Sequence, residues 1–295
     1  MDSSLPIHVS VMLEEVIQHL DPGPGQIVVD GTLGGGGHTR ALAERVGPAG
    51  LVVALDRDPA ALAAAERNLA GMPVKLVSAN FRELPQVLQQ LDISEVDGIL
   101  LDLGLSSDQL ADTERGFSFD STGPLDLRFD PDQGEAAWRL LERLNATQLA
   151  DLFYTYGEER FSRRIARNII ERRAHEPIRT ARQLADLVRR SVPRNRDAQR
   201  IDPATRTFQA LRIAVNDELE SLEVALKNFA KCLVLGGRVA VISFHSLEDR
   251  IVKEIFRDEP RYEALTKRPL RPTEAETKRN PRSRSAKMRV ARRIL

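Results

Sequence analysis

The run Ile27-Val28-Val29-Asp30-Gly31-Thr32-Leu33-Gly34-Gly35-Gly36-Gly37-His38 passes from a short apolar strand, through an acid, into a glycine-rich turn. A helical pattern over His38–Val46 follows and stops at Gly47-Pro48. A turn of this kind between a first strand and its helix lets the backbone approach a nucleotide closely. Downstream, Leu51–Leu55 is a second apolar strand ending in Asp56, and Pro59–Leu69 is an alanine-rich helix with Pro in its first turn. Val74–Val77 reads as a third strand, Leu84–Leu91 as a helix, and Val96–Leu101 as a fourth strand ending in Asp102. Upstream, Glu14–Leu20 is a short helix closed by the breakers Asp21-Pro22-Gly23-Pro24-Gly25. Strands and helices alternating at this spacing predict βαβ units, a parallel sheet and an α/β, Rossmann-like fold.

The alternation then stops. Asp112–Pro131 is rich in Gly, Pro and Asp, and helical segments follow at Glu135–Leu144, Thr147–Tyr156, Arg160–Arg173 and Thr180–Ser191. None offers a strand, so 113–203 reads as a helical insertion in a discontinuous domain made of 1–112 and 204–295. Asp202-Pro203 looks like a cap with Pro at the first helical position. Phe208, Leu211, Val215, Leu219, Leu222, Leu226, Phe229 and Leu233 then recur at three or four residues, predicting one long amphipathic helix ended by Gly236-Gly237. Arg238–Ser243 is a fifth strand and Leu247–Phe256 a helix, with weaker strands at Glu263–Lys267 and Met288–Ile294.

The chain has 295 residues, 42% of them apolar, enough for one large domain with an insertion. Its longest apolar runs are strand-sized, too short to cross a membrane, and Met1–His8 lacks the basic-then-apolar pattern of a secretion signal. One cysteine, Cys232, rules out a disulfide framework, and no cluster has zinc spacing, so a cytoplasmic protein without a metal is expected. Nothing in the pattern favours one oligomeric state. Net charge is zero, but Arg261–Leu295 holds twelve Lys/Arg against three Asp/Glu, and Glu158–Arg200 holds thirteen Arg against six acids. Either block alone reads as a solvated face. Two of them beside a nucleotide-type fold point to a phosphate-rich partner, and arginine suits bidentate phosphate contact and base stacking.

The acids at the strand ends carry the chemistry. Asp30 stands just before the glycines, where it would repel a pyrophosphate; it suits a ligand with a positive amino group, such as the methionine end of S-adenosylmethionine. Asp56 is placed to accept hydrogen bonds from ribose hydroxyls, a feature that NAD enzymes share. Asp58 reads as the N-cap ahead of Pro59. Phe81, in Asn80-Phe81 after the third strand, lies against an adenine ring or belongs to the core. Asp102, opening Asp102-Leu103-Gly104-Leu105-Ser106-Ser107 with Gln109 beyond, orients an exocyclic amine, accepts its proton, or only binds cofactor. In Ser243-Phe244-His245-Ser246-Leu247-Glu248-Asp249-Arg250, a hydrolase reading fails because Gly-x-Ser-x-Gly is absent. His245 is then a substrate-side contact or a structural cap. Cys232 falls on the apolar side of the long helix, which argues against covalent attack on pyrimidine carbon 5.

Asp30–His38, Leu55–Asp58, Leu101–Ser107, Arg115-Gly116-Phe117-Ser118-Phe119, Tyr156-Gly157-Glu158-Glu159-Arg160-Phe161, Pro203–Leu211 and Ser243–Arg250 together resemble the RsmH (MraW) family. The similarity runs from His8-Val9-Ser10-Val11-Met12 to Asn280-Pro281-Arg282-Ser283. Between Arg261 and Asn280 the linker is short where some relatives carry longer inserts. The resemblance implies a class I methyltransferase sheet with a helical insertion that recognises RNA. It implies transfer from S-adenosylmethionine to the N4 amine of a cytidine in small-subunit ribosomal RNA. It further implies cofactor contacts at Gly36, Gly37, His38, Asp56, Phe81, Asp102 and Gln109. Asp102 is then the candidate catalytic residue, and Arg115, Phe117, Phe119 and His245 are candidates on the substrate side. Two other classes share the sheet: an NAD-dependent oxidoreductase, which would show Gly-x-Gly-x-x-Gly without the preceding acid, and a non-enzymatic ribosome-assembly factor with a decayed pocket.

Overall fold

The structure, a computed structural model, describes residues 10–193 and 202–295. Residues 1–9, on which the expectation about a secretion signal falls, and 194–201, with the end of the arginine-rich block, lie outside the described residues. In chain order the elements are α1 (Leu13–Leu20), β1 (Ile27–Asp30), α2 (Gly37–Val46), β2 (Leu51–Asp56), α3 (Pro59–Asn68), β3 (Val74–Ser78), α4 (Leu84–Gln90), β4 (Val96–Asp102) and α5 (Ser107–Ala111). Then come α6 (Ala137–Arg143), α7 (Ala146–Gly157), α8 (Ser162–Arg173), α9 (Ala181–Ser191), α10 (Thr205–Asn216) and α11 (Glu218–Cys232). The chain closes with β5 (Leu233–Ser243), α12 (Ser246–Asp258), β6 (Tyr262–Ala264), α13 (Glu274–Arg279) and β7 (Lys287–Arg293). No helix among the described residues is long and apolar enough to cross a membrane.

Two compact units divide the chain. The first runs to Ser106 and resumes at Leu219. Its seven strands lie in the order β3-β2-β1-β4-β5-β7-β6. β1 to β5 are parallel, and β7 runs antiparallel between β5 and β6. Adjacent residues of each strand enter different cores, as the two-residue period of a pleated strand requires. Val29, Val53, Ile99, Leu101 and Val239 meet Leu222, Leu226 and Phe229 of α11 and Phe256 of α12. Val28, Val52, Leu100 and Ala240 meet Val16 and Leu20 of α1 and Leu42 and Val46 of α2. A sheet covered on both faces explains why its strands read as continuous apolar runs. Strand order reverses between β1 and β4, so the ligand crevice of this architecture opens at their carboxyl ends.

The second unit, Ser107–Glu218, contains only helices and loops among its described residues. α7 packs on α8 and α10, and α8 on α9. Asn145 and Thr180 start α7 and α9 with reciprocal capping boxes to Gln148 and Gln183. α7 and α10 approach closely at Gly157, where a Cβ would lie 2.5 Å from the Arg206 carbonyl oxygen. This packing places α10 in the helical unit, so the division falls at Ser106 and Glu218 rather than at 112 and 203.

The predicted long helix from Phe208 to Leu233 is two helices. Asp217 adopts the left-handed region at φ 55°, which short polar side chains tolerate best. The break is held by Asn216, whose Nδ2 donates to the Leu127 and Arg212 carbonyls and whose Oδ1 accepts from Phe129 N–H. The strand after it starts at Leu233, ahead of Gly236-Gly237, through a bulge in the pairing with β4. Asp202 caps the turn before α10, its Oδ1 accepting from Ala204 N–H, and the helix proper starts two residues later than the Pro203 signal predicts.

Candidate active site

The β1–α2 turn is shaped by Asp30. Fully buried, it accepts from Thr32 N–H at 3.1 Å with Oδ1 and from the Thr39 hydroxyl at 2.7 Å with Oδ2. The Thr32 hydroxyl in turn accepts from Asp102 N–H at 2.7 Å, tying the ends of β1 and β4 together. With its oxygens used inside the protein and no exposed surface, Asp30 shapes the turn and contributes charge from beneath it. Gly31 must be glycine for space, since a Cβ would sit 2.5 Å from Leu101 Cδ2 and 3.1 Å from Phe81 Cβ. Gly36, at φ 76°, supplies the left-handed step before Gly37 opens α2.

Asp56, at the end of β2, accepts from Gly34 N–H at 2.8 Å and from Asp58 N–H at 2.9 Å, one bond on each oxygen. An ionised carboxylate has about four lone-pair sites, so each oxygen retains room for one more donor. Burial pushes its pKa up to about 6, with the Asp58 and Asp30 charges adding to the rise and the two backbone bonds opposing it. Asp58 caps α3 through Ala60 N–H, as its place before Pro59 predicts.

Asp102, at the end of β4, keeps 18% of its side-chain surface exposed. Its Oδ1 is buried and has no hydrogen-bond partner among the described residues. Its Oδ2 lies 3.5 Å from His38 Nδ1. His38 Nε2 lies 3.0 Å from the Val11 carbonyl oxygen, which can only accept, so Nε2 carries a proton. His38 Nδ1 and Asp102 Oδ2 face each other at ion-pair distance, and a hydrogen bond between them requires a proton on one of the two. Burial, then the negative charges of Asp30, Glu248 and Glu276, hold the Asp102 carboxyl well above the usual carboxylate range.

The remaining predicted residues fall in distinct surroundings. Phe81 opens a single 3₁₀ turn after β3, capped by Asn80, and its Cβ backs onto Gly31. His245 is the N-cap of α12: its Nδ1 accepts from Glu248 N–H, and Glu248 returns the bond to His245 N–H. In the helical unit, Gln109 is buried on α5. Arg115 donates to the carbonyls of Arg128 and Phe129. Phe117 is buried and stacked on Phe129 at 6.0 Å between ring centres, whereas Phe119 is half-buried edge-on to Phe208 at 4.9 Å. Cys232 is buried, and burial pushes its thiol up to about 11, leaving no thiolate for covalent attack.

Three features of the site escape the sequence pattern. They are the Val11 carbonyl behind His38, Glu276 accepting from the left-handed Met12 N–H at 2.7 Å, and Glu248 accepting from Phe244 N–H. The first two join segments whose pairing has no periodic signature, Met12 and Glu276 being 264 positions apart, whereas the third is a local contact at the start of α12. The strand-end surface thus combines bare carboxylate acceptors with a narrow glycine turn, a donor-hungry and anionic setting. It fits an adenosine bearing hydroxyl donors and positive charge, and would repel a pyrophosphate.

This sheet order with a reversed β7, and acids closing β1, β2 and β4, define a Rossmann-like class I methyltransferase. The chain belongs to the MraW methylase family, whose model matches residues 6–294. It is 50% identical over 307 aligned residues to "Ribosomal RNA small subunit methyltransferase H" of Syntrophotalea carbinolica, covering 97% of this chain and 98% of the relative. Proteins of the same name from Rhodopirellula baltica and Trichlorobacter lovleyi are 51% and 47% identical, covering 97% of this chain and 91% and 98% of theirs.

Proposed function

We propose that this chain transfers a methyl group from S-adenosylmethionine to the N4 amine of a cytidine in small-subunit ribosomal RNA. What carries the substrate is the match, over nearly the whole of both chains, to relatives named for methylation of that RNA. When bound, S-adenosylmethionine supplies an activated methyl group on a sulfonium. Asp56 would hold its ribose through the lone pairs left free beside Gly34 and Asp58. The close backbone of Gly36 and Gly37 would bound it, with Phe81 toward the adenine and Gln109 as the further contact that the resemblance implies. His38 and Asp102 would lie nearest the transferring group.

The N4 lone pair of cytosine is delocalised into the ring, so the amine is a poor nucleophile. The Asp102 carboxylate, partly exposed at the end of β4, would accept a hydrogen bond from N4–H and draw the nitrogen toward a pyramidal geometry. As N4 gains carbon it loses a proton, and the Asp102 carboxylate would be its acceptor. A raised pKa makes Asp102 a stronger base once ionised, and a cation beside it favours the ionised form. His38, anchored on Val11, stands 3.5 Å from Oδ2 and would orient the carboxylate. The target base must leave its stack, and the helical unit, with Arg115, Phe119 and the arginine-rich helices, would receive the RNA, Phe117 being held inside by Phe129. His245 stands on the substrate side while capping α12. The setting is the cytoplasm, where small subunits assemble.

The test is transfer of labelled methyl from S-adenosylmethionine to small subunits lacking the modification, with the product nucleoside identified by mass spectrometry. N4-methylcytidine at one site is the expected product. Cofactor binding without RNA label would favour the assembly-factor class, and stabilisation by NAD but not S-adenosylmethionine would favour the oxidoreductase.

A further inference from the structure

The helical unit carries a corner whose side chains neither its packing nor the candidate site uses. Tyr154, near the end of α7, is 67% exposed, and Phe161, just before α8, is 38% exposed. They are the only two exposed aromatic side chains among the described residues. Arg160, Arg163 and Arg164 stand beside them, all exposed and without an ion pair or hydrogen-bond partner among the described residues. Several other guanidiniums of this unit are held: Arg128 by Asp126, Arg179 by Glu142, and Arg189 by Asp202. Exposed Arg206 on α10 extends the corner, its Nη1 donating to the Glu158 carbonyl at 3.2 Å. Two exposed acids, Asp151 and Glu158, share the corner and leave it net positive. The third, Glu159, is buried and accepts from Phe161 N–H at 2.8 Å, which fixes the turn that presents the ring.

We infer that this α7–α8 corner is a docking surface for single-stranded RNA flanking the target nucleotide. Resting on the RNA reading above, it adds a second point of contact with its own mode. Unpaired guanidiniums pay no cost of breaking an ion pair when they meet phosphate. An exposed aromatic face stacks on any unpaired base, and the combination of the two is how sequence-tolerant single-strand surfaces work. Three adjacent like charges disfavour a neutral protein surface and suit a polyanion. The Tyr156–Phe161 block thereby gains a role apart from Arg115, Phe117 and Phe119.

The test compares the full chain with an Arg160→Gln/Arg163→Gln/Arg164→Gln variant and with a Tyr154→Ala/Phe161→Ala variant. Affinity is measured across salt concentrations for unmodified small subunits and for a single-stranded RNA oligonucleotide. Stabilisation by S-adenosylmethionine serves as the check that each variant is folded. Removing three phosphate contacts should make the slope of log affinity against log salt shallower by about 2, at roughly 0.7 per single-strand contact. Losing the rings should weaken binding roughly tenfold with the slope retained. Unchanged affinity and slope in folded variants would overturn the inference and return the corner to a solvated face. A loss on subunits but none on the oligonucleotide would also overturn it, in favour of a protein partner. If the parent chain transfers no methyl to RNA yet shows these slopes, the reaction fails and the docking surface stands.

Discussion

The sheet unit and the helical unit handle charge in opposite ways. The first draws acids inward: Asp30, Asp56, Asp102, Glu248 and Glu276 are buried or nearly so, and two of them have pKa values raised by that burial. The second leaves arginines outward, and at its α7–α8 corner it leaves them unpaired. A small cationic cofactor is recognised by a few desolvated acceptors whose interaction strengthens in a low dielectric. A long polyanion is recognised by many exposed cations, each weak and sensitive to salt. Substitutions in the first unit should therefore act steeply and through protonation, and those in the second additively and through ionic strength.

Asp102→Asn is the sharpest way to break this contrast. It keeps the shape of the side chain but removes the acceptor for the departing N4 proton, and a misplaced general base typically costs 10²–10⁴-fold in rate. Turnover with saturating cofactor should fall by roughly that factor, while stabilisation by S-adenosylmethionine persists. The amide also removes a buried charge crowded by Asp30, Glu248 and Glu276. A carboxyl whose folded pKa is raised stabilises the protein at low pH and ceases to do so as pH rises through that pKa. The variant should therefore unfold at a higher temperature than the parent at pH 8. Full turnover in the variant would reduce Asp102 to a cofactor contact.

Asp56 should produce a smaller effect with a signature of its own. Its carboxyl titrates near 6, so its acceptors for the ribose are fully ionised above that value and lost below it. Affinity for S-adenosylmethionine should rise with pH up to about 6 and level off beyond, changing at most tenfold per pH unit on the acid side. Asp56→Asn should weaken binding roughly 10- to 100-fold and flatten that dependence, a result isothermal titration at pH 5 and pH 8 would read directly. An unchanged pH profile would mean that another group controls the acid limb.

How much of each unit was legible in the sequence follows from where its restraints lie. The sheet announced itself because strands covered on both faces are continuous apolar runs, and because Gly36 meets a local demand of backbone angle. Asp58 was readable for the same reason: its partner is two residues away. The break at Asp217 was not, since α10 and α11 carry the same apolar spacing in phase. Phe117 also has the look of a substrate contact in sequence, but the structure stacks it on Phe129. His38 was legible as part of the turn, but not its anchor on Val11, because a backbone carbonyl leaves no residue-type signal.

That difference suggests a final, smaller test in the helical unit. Asn216 is 2% exposed and reaches back 87 to 89 positions to hold Phe129 N–H and the Leu127 carbonyl. Its neighbour Leu127 sits in the left-handed region at φ 63°, a conformation costly for a branched side chain unless its surroundings enforce it. Asn216→Ala leaves a donor and an acceptor buried without their partner, which typically costs about 1–2 kcal/mol. The lower unfolding midpoint in denaturant should come with weaker protection of the 125–129 amides against hydrogen exchange. Those of β1 and β4 should exchange as in the parent, because the restraint lost lies wholly within the helical unit. Equal loosening in both units would show that they unfold as one body, and that their contrast in charge is not matched by one in stability.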